Sequence, residues 1–219
     1  MRFLLVCLVL LAVQSSVVAV AEEVAAADAE YVRVTSERAR KIVAKLDISD
    51  AACSARVQDV IARQYRDLST IHSKRDAALA AAAPKEKSEA EASKAAAQRD
   101  AEAEQFRLHY AFLARLAVEL TPAQIEQVKD GVTMNVVPVT FKRYQQLLPD
   151  LPADQLRHIQ ALLLEAREHA MDAGSSEAKH AIFGKYKGRI NNYLSAAGVD
   201  MKAAERALQE RERAAKAAS

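Results

Sequence analysis

Apolar residues recur every three or four positions along most of this chain, which is the spacing of one face of an α-helix. The spacing predicts a first helix from Asp28 to Leu46 and a longer second helix with Val57, Val60 and Ile61 on its apolar face. No stretch shows the strict alternation of apolar and polar residues that a half-buried strand requires. We therefore expect an all-α fold, a single helical-bundle-like domain of about seven or eight helices.

Capping residues and glycines mark the helix boundaries in the second half of the chain. Thr121 can cap a helix, Pro122 suits its first position, and Gln124 can bond back to the cap. We expect this helix to end at Gly131. The β-branched residues 134–139 predict a linker or a short extended piece. Further helices are predicted over residues 138–148, 152–173 and 176–198.

Two segments lack a large apolar face. Residues 84–104 consist mainly of Ala, Glu, Lys, Ser and Arg, a composition that favours helix but buries nothing. Within a helical domain of residues 22–200, this low-complexity arm is expected to be a solvated hairpin tip with Pro84 at the bend, or a partly disordered segment. Residues 201–219 predict a charged C-terminal helix that frays.

The first residues have the pattern of a secretory signal peptide. Met1 and Arg2 precede an apolar run, and residues 19–21 have the small-x-small pattern of a cleavage site. We expect cleavage before Glu22, removal of residues 1–21, and a mature protein in the periplasm or outside the cell. The apolar run is too short to span a bilayer, and no transmembrane segment is expected in the mature chain.

Charge narrows the range of partners. The formal net charge of the whole chain is +2 at pH 7, and its lysines form no single stripe interleaved with aromatic residues. Nucleic acid is therefore not an expected partner. A polysaccharide or another exported protein remains open as a partner.

One predicted helix has a polar stripe beside its apolar face. Glu165, His169 and Asp172 share this stripe, Glu168 lies next to it, and a short turn could bring His180 close. Imidazole and carboxylate groups at such spacing can share a metal ion or a proton, so zinc or manganese could bind here. The spacing does not match a strong metal signature, and no cofactor is required. A solvated helix face is the alternative interpretation.

The following helix has small residues opposite its apolar face. Gly184, Gly188 and Asn191 form this stripe, and a glycine inside a helix costs about 1 kcal/mol relative to alanine. The pattern predicts that another helix packs closely on the backbone there, or that a ligand lies on it.

Three stretches, residues 127–133, 165–176 and 179–194, carry a family resemblance. They resemble a secreted bacterial family of uncharacterised proteins, domain of unknown function 3826, over about Tyr31 to Asp200. The resemblance implies no catalytic residue, and it implies a link with carbohydrate utilisation. Residues 120–124 also resemble the L-T-x-x-Q pattern of periplasmic stress chaperones, although helix capping explains the same residues.

These observations leave three hypotheses for function. The first is a secreted, non-enzymatic helical binding or accessory protein with an unknown ligand. The second is a metal-dependent or acid–base enzyme that uses His169, Asp172 and His180. The third is a periplasmic helical chaperone.

Overall fold

The structure, a computed structural model, describes residues 26–217, and within them every regular element is a helix. The all-α prediction is therefore confirmed. The predicted signal peptide and its cleavage before Glu22 lie outside the described residues. None of the described helices combines the length and the apolar character needed to cross a bilayer. The helices are α1 (26–43), α2 (Ala51–Ala82), α3 (Lys87–Glu119), α4 (Pro122–Val132), α5 (Val136–Leu147), α6 (Ala153–Met171), α7 (Ser176–Ala196) and α8 (Met201–Ala217).

The chain divides into two compact units. The first unit ends at Arg66 and the second begins at Asp67, so the boundary falls within the long helix α2. In the first unit, Tyr31 donates a hydrogen bond to the carbonyl oxygen of Tyr65 at 3.2 Å. Burial raises the pKa of Tyr65 to about 12. The buried apolar residues of this unit are Ala39, Ile42, Val43, Leu46, Val57, Ile61 and Ala62.

The second unit has its main core between α5, α6 and α7. Helices α6 and α7 make the most extensive contact, and a short connection of residues 172–175 joins them. The Ser175 hydroxyl accepts a hydrogen bond from the amide of Ala178 at 3.1 Å, which caps α7. The fully buried residues of this core are Ile159, Leu163, Ala166, Ala170, Phe183, Ile190 and Leu194.

The alanine-rich segment 84–104 is helical and partly buried. Pro84 lies in the connection between α2 and α3, and residues 87–104 form the first half of α3. The expectation that this segment buries nothing is wrong, because Ala90 and Ala101 are each only 5 % exposed. Alanine is small enough to be buried where two helices approach closely, and Glu104 forms an ion pair with Lys74 of α2.

A left-handed turn connects α4 to α5. Met134 and Asn135 have positive φ angles of 60° and 55°, and α5 begins at Val136. The expected extended piece over residues 134–139 is therefore wrong. These two left-handed residues lie in a connection of only three residues, 133–135, so the β-branched residues that follow enter the next helix.

Helix α8, the charged C-terminal helix that the sequence predicted, contacts α5. Leu208 is buried in the core of the second unit. Arg143 of α5 lies 2.5 Å from a carboxylate oxygen of Glu212, and Arg211 donates a hydrogen bond to the carbonyl oxygen of Gln146 at 2.9 Å. These contacts join α8 to α5 and the core at residues 208, 211 and 212.

Candidate functional site

Two of the predicted site residues meet a histidine that the sequence analysis did not single out. His109 of α3 donates a hydrogen bond from Nδ1 to Oδ2 of Asp172 at 3.0 Å. Its Nε2 lies 3.7 Å from a carboxylate oxygen of Glu168. The hydrogen bond to Asp172 raises the pKa of His109, against the opposing effect of burial. Each ring nitrogen therefore faces a carboxylate.

A buried guanidinium lies beside this histidine. Arg167 of α6 is only 3 % exposed, and it donates to Oδ1 of Asp130 at 2.7 Å and to the carboxylate of Glu126. Burial acts to lower the pKa of Arg167, but the hydrogen bonds to Asp130 and Glu126 outweigh that effect and raise it. Lys129 adds a second cation, 3.2 Å from Glu168. We call this group the ionic cluster; its members are His109, Glu126, Lys129, Asp130, Arg167, Glu168 and Asp172.

A second histidine holds the turn after α6. His72 of α2 donates a hydrogen bond from Nε2 to the carbonyl oxygen of Asp172 at 2.8 Å. A Cβ atom placed on Gly174 would lie 2.7 Å from Cδ2 of the same ring. Gly174 therefore allows the ring to lie directly against the backbone. Asp172 binds one histidine through its side chain and another through its main chain.

The remaining residues of the predicted polar stripe do not join the ionic cluster. Glu165 accepts hydrogen bonds from the hydroxyl of Tyr186 at 2.7 Å and from Arg189 at 3.3 Å, and both lower the pKa of its carboxyl. His169 is exposed, with its ring centroid 6.2 Å from that of Tyr186, and His180 is exposed on α7. Within residues 26–217, no three His, Cys, Asp or Glu side chains are arranged to hold a metal ion. The proposed group of His169, Asp172 and His180 is not formed, because Asp172 binds His109 instead.

His109 makes the stability of the second unit depend on pH. Because its pKa is higher in the folded chain than the usual value of about 6.5, its stabilising contribution is complete below that pH. The contribution is lost as the pH rises through the higher, folded-state pKa. We expect urea unfolding to show a fall in stability as the pH rises above about 6.5 that is smaller in His109→Gln. An identical pH dependence in both proteins would contradict this prediction.

The small-residue stripe of α7 is open rather than packed against another helix. A Cβ atom placed on Gly184 or Gly188 would meet no atom within 4 Å. The predicted close approach of another helix is therefore wrong for the described chain. Of the three stripe residues, Asn191 has a defined partner: its Oδ1 accepts a hydrogen bond from the hydroxyl of Tyr144 at 2.8 Å.

Gly188→Ala should raise stability, because alanine is the better helix former and its methyl group meets open space. We expect a gain of about 0.5–1 kcal/mol in the free energy of unfolding. Urea denaturation of the variant and the wild type would measure it. A loss of stability would show that something approaches this backbone in solution.

A groove lies where α5, α7 and α8 meet. Its volume is about 400 Å³. We call it the α5–α7–α8 groove. Its lining residues are Val139, Thr140, Arg143, Tyr144, Leu147, Lys187, Asn191, Met201, Glu205 and Gln209.

Several polar side chains of this groove are available to a ligand. Within the described part of the chain, no hydrogen bond or ion pair engages the side chains of Lys187, Glu205 or Gln209. Burial raises the pKa of Tyr144 to about 12, so its hydroxyl stays protonated and keeps donating to Asn191. That bond occupies the carbonyl oxygen of the Asn191 side chain. The groove thus has exposed donors and an acceptor that the described protein does not use. In the ionic cluster, Oδ1 of Asp172 and Nε of Arg167 are buried without a partner.

No local sequence pattern groups the residues of the ionic cluster or those of the groove. His109 lies 63 positions before Asp172, and Arg167 lies 37 positions after Asp130. The groove likewise draws on three helices. Asn191 is the residue that the sequence analysis had already singled out, through its place in the small-residue stripe.

Fold and site together define a helical domain with an ionic cluster and a polar groove. The chain matches the family model described as "Protein of unknown function (DUF3826)" over residues 32–214. It therefore belongs to this family. Comparison with curated proteins gave no match.

Proposed function

We propose that this chain is an exported, non-enzymatic binding protein whose α5–α7–α8 groove holds a small polar ligand, such as one or two sugar units of a polysaccharide. The observation that carries the proposal is the set of unused polar side chains in this groove. Lys187, Glu205 and Gln209 are exposed to solvent, so each can contact a ligand that enters the groove. Polar groups that converge on a concave surface without partners are typical of a ligand site.

The chemistry of the groove suits a sugar. Each sugar hydroxyl both donates and accepts hydrogen bonds, and the C–H faces of the ring are apolar. Lys187 and the amide of Asn191 supply donors, and Glu205 supplies an acceptor. Met201 and Val139 add apolar contact surface. A volume of about 400 Å³ lies within the range of small-molecule sites.

Acid–base catalysis at His109 has less support. A general base needs a ring nitrogen within reach of a substrate proton. Nδ1 of His109 already donates to Asp172, and Nε2 faces Glu168. Lys129 and Arg167 in turn engage Glu168. These contacts favour a structural role for the ionic cluster, in which Oδ1 of Asp172 and Nε of Arg167 are buried without a hydrogen-bond partner.

Calorimetric titration would test ligand binding. We expect maltose, cellobiose or glucuronate to bind saturably to the purified chain. Lys187→Ala and Asn191→Ala should each weaken binding about three- to tenfold or more, since each removes one hydrogen bond to the ligand. Lys185→Ala is the matched control, because Lys185 is an exposed lysine of the same helix that does not line the groove. Absence of saturable binding, or an equal loss in the control, would contradict the proposal.

Export can be tested separately. The proposal expects the chain to be recovered outside the cytoplasm with Glu22 at its N-terminus. N-terminal sequencing and intact mass would check this. Full-length chain in the cytoplasm or the membrane fraction would contradict it.

A further inference from the structure

A hydrogen bond from Tyr144 fixes the orientation of the Asn191 side chain in the α5–α7–α8 groove. The hydroxyl of Tyr144 donates to Oδ1 of Asn191 at 2.8 Å. Tyr144 is only 6 % exposed, and burial raises its pKa to about 12, so the hydroxyl keeps its proton. The amide nitrogen of Asn191 has no partner among the described residues. Asn191 therefore presents its N–H donors to the groove.

Lys187 places further donors beside this amide. Lys187 and Asn191 lie four positions apart on α7, so their side chains are neighbours on one face of the helix. A lysine ammonium group has three donors and no acceptor. Within residues 26–217, no carboxylate pairs with Lys187. The α7 side of the groove therefore presents hydrogen-bond donors and a positive charge.

The other charged groups of the lining belong to different helices. Arg143 of α5 is already paired with Glu212. Glu205 of α8 is exposed and has no ion-pair partner in the described part of the chain. Its carboxylate can accept hydrogen bonds from hydroxyl groups. The groove thus has an unpaired cation on α7 and an unpaired anion on α8.

A carboxylate matches the α7 side of the groove better than a hydroxyl does. Both of its oxygens accept hydrogen bonds, so one can bind the ammonium group of Lys187 and the other the amide of Asn191. Hydrogen bonds that involve an ionised group are roughly twice as strong as neutral ones. A hydroxyl in the same place would leave the charge of Lys187 uncompensated.

We propose that the α5–α7–α8 groove selects an acidic sugar, a uronate, whose carboxylate binds Lys187 and Asn191 and whose hydroxyls face Glu205. The selection rests on the proposed function, because it names the class of sugar that the same groove holds. Tyr144 is a positioning residue in this arrangement. It acts through Asn191, whose N–H groups it keeps turned towards the carboxylate.

Titration with a matched pair of ligands tests the selection. Methyl β-glucuronide and methyl β-glucoside have the same ring and differ in one group, a carboxylate in the first and a hydroxymethyl group in the second. We expect the glucuronide to bind the wild type about tenfold more tightly at low salt, because its carboxylate accepts charge-assisted hydrogen bonds. The preference should shrink at about 1 M salt, where the Debye length falls to about 3 Å.

Two substitutions test the named donors. Lys187→Met keeps most of the side-chain length and removes the charge, so the preference for the glucuronide should fall to about threefold or less. Tyr144→Phe frees the Asn191 amide to turn its carbonyl oxygen towards the ligand. Glucuronide binding should then weaken about threefold, and glucoside binding should change less because hydroxyls both donate and accept. Lys185→Met is the control, because Lys185 is an exposed lysine of α7 outside the groove lining.

Each outcome decides one statement. Binding of the glucoside as tightly as the glucuronide would overturn the selection and leave the binding function standing. A preference that persists in Lys187→Met, or that falls equally in Lys185→Met, would overturn it too. An unchanged preference in Tyr144→Phe would overturn the positioning role of Tyr144. If neither glycoside binds the wild type and maltose, cellobiose and glucuronate also fail to bind, the proposed function fails and the selection fails with it.

Discussion

Arg167→Ala should lower the free energy of unfolding by about 3 kcal/mol. The substitution removes the buried cation that binds Asp130 and Glu126, and breaking a buried ion pair from one side costs about 3–5 kcal/mol. We expect the lower end of this range of energies because the side chain of Glu126 is 51 % exposed, so water can stabilise its charge. The melting temperature should fall by about 6–12 °C in a chain of this size.

Arg189→Ala is the matched control for Arg167→Ala. Arg189 belongs to the neighbouring helix α7 and also binds a glutamate, but both side chains of that pair are about half exposed. Arg189 also lies over the ring of Tyr186, 4.6 Å from its centroid, so its loss should lower stability by about 1 kcal/mol or less. Chemical denaturation of the two variants would compare them directly. Equal effects would show that the ionic cluster contributes no more than an ordinary surface ion pair.

Gly174→Ala should destabilise the second unit by about 1–2 kcal/mol through overpacking. The new methyl group would lie 2.7 Å from the ring of His72, so the ring or the turn must move. Movement of the ring would weaken its hydrogen bond to the carbonyl oxygen of Asp172. The cost comes from the contact and not from backbone strain, because the φ angle of Gly174 is not positive.

A double-mutant cycle with His72→Ala tests this cause. Once the ring is removed, the added methyl group has space, and Gly174→Ala should cost less than about 0.5 kcal/mol. Thermal and urea unfolding of the wild type, both single variants and the double variant would give the coupling energy. Additive effects would show that the methyl group meets something other than His72.

The helices could be predicted because their signals are local. The capping box at Thr121 and Gln124 was read from four neighbouring residues, and both of its hydrogen bonds are present. The spacing of large apolar residues gave α6 and α7 nearly to their ends. The spacing of large apolar residues could not predict burial in residues 84–104, because it takes no account of alanine. Ala90 and Ala101 are buried there without any large apolar neighbour in sequence.

The candidate site could be predicted only in part, because its contacts join distant segments. Asp172 of the polar stripe and the adjacent Glu168 are half-buried, whereas Glu165 and His169 are exposed. Spacing within one helix cannot reveal His109 on another. The stripe of Gly184 and Gly188 indicated close packing, and the structure has open space there. Glycines at helical spacing show only that one helix face lacks side chains. They do not show whether a helix, a ligand or solvent lies against that face.

The order in which the helices pack also bears on how quickly this unit can fold. From α3 to α8, every helix contacts the next one in sequence, and the most extensive contact joins α6 to α7 across a short turn. Short connections cost little chain entropy to close, and helical proteins with local contacts fold within microseconds to milliseconds. We therefore expect the α6–α7 hairpin to form the nucleus on which α5 and then α8 assemble.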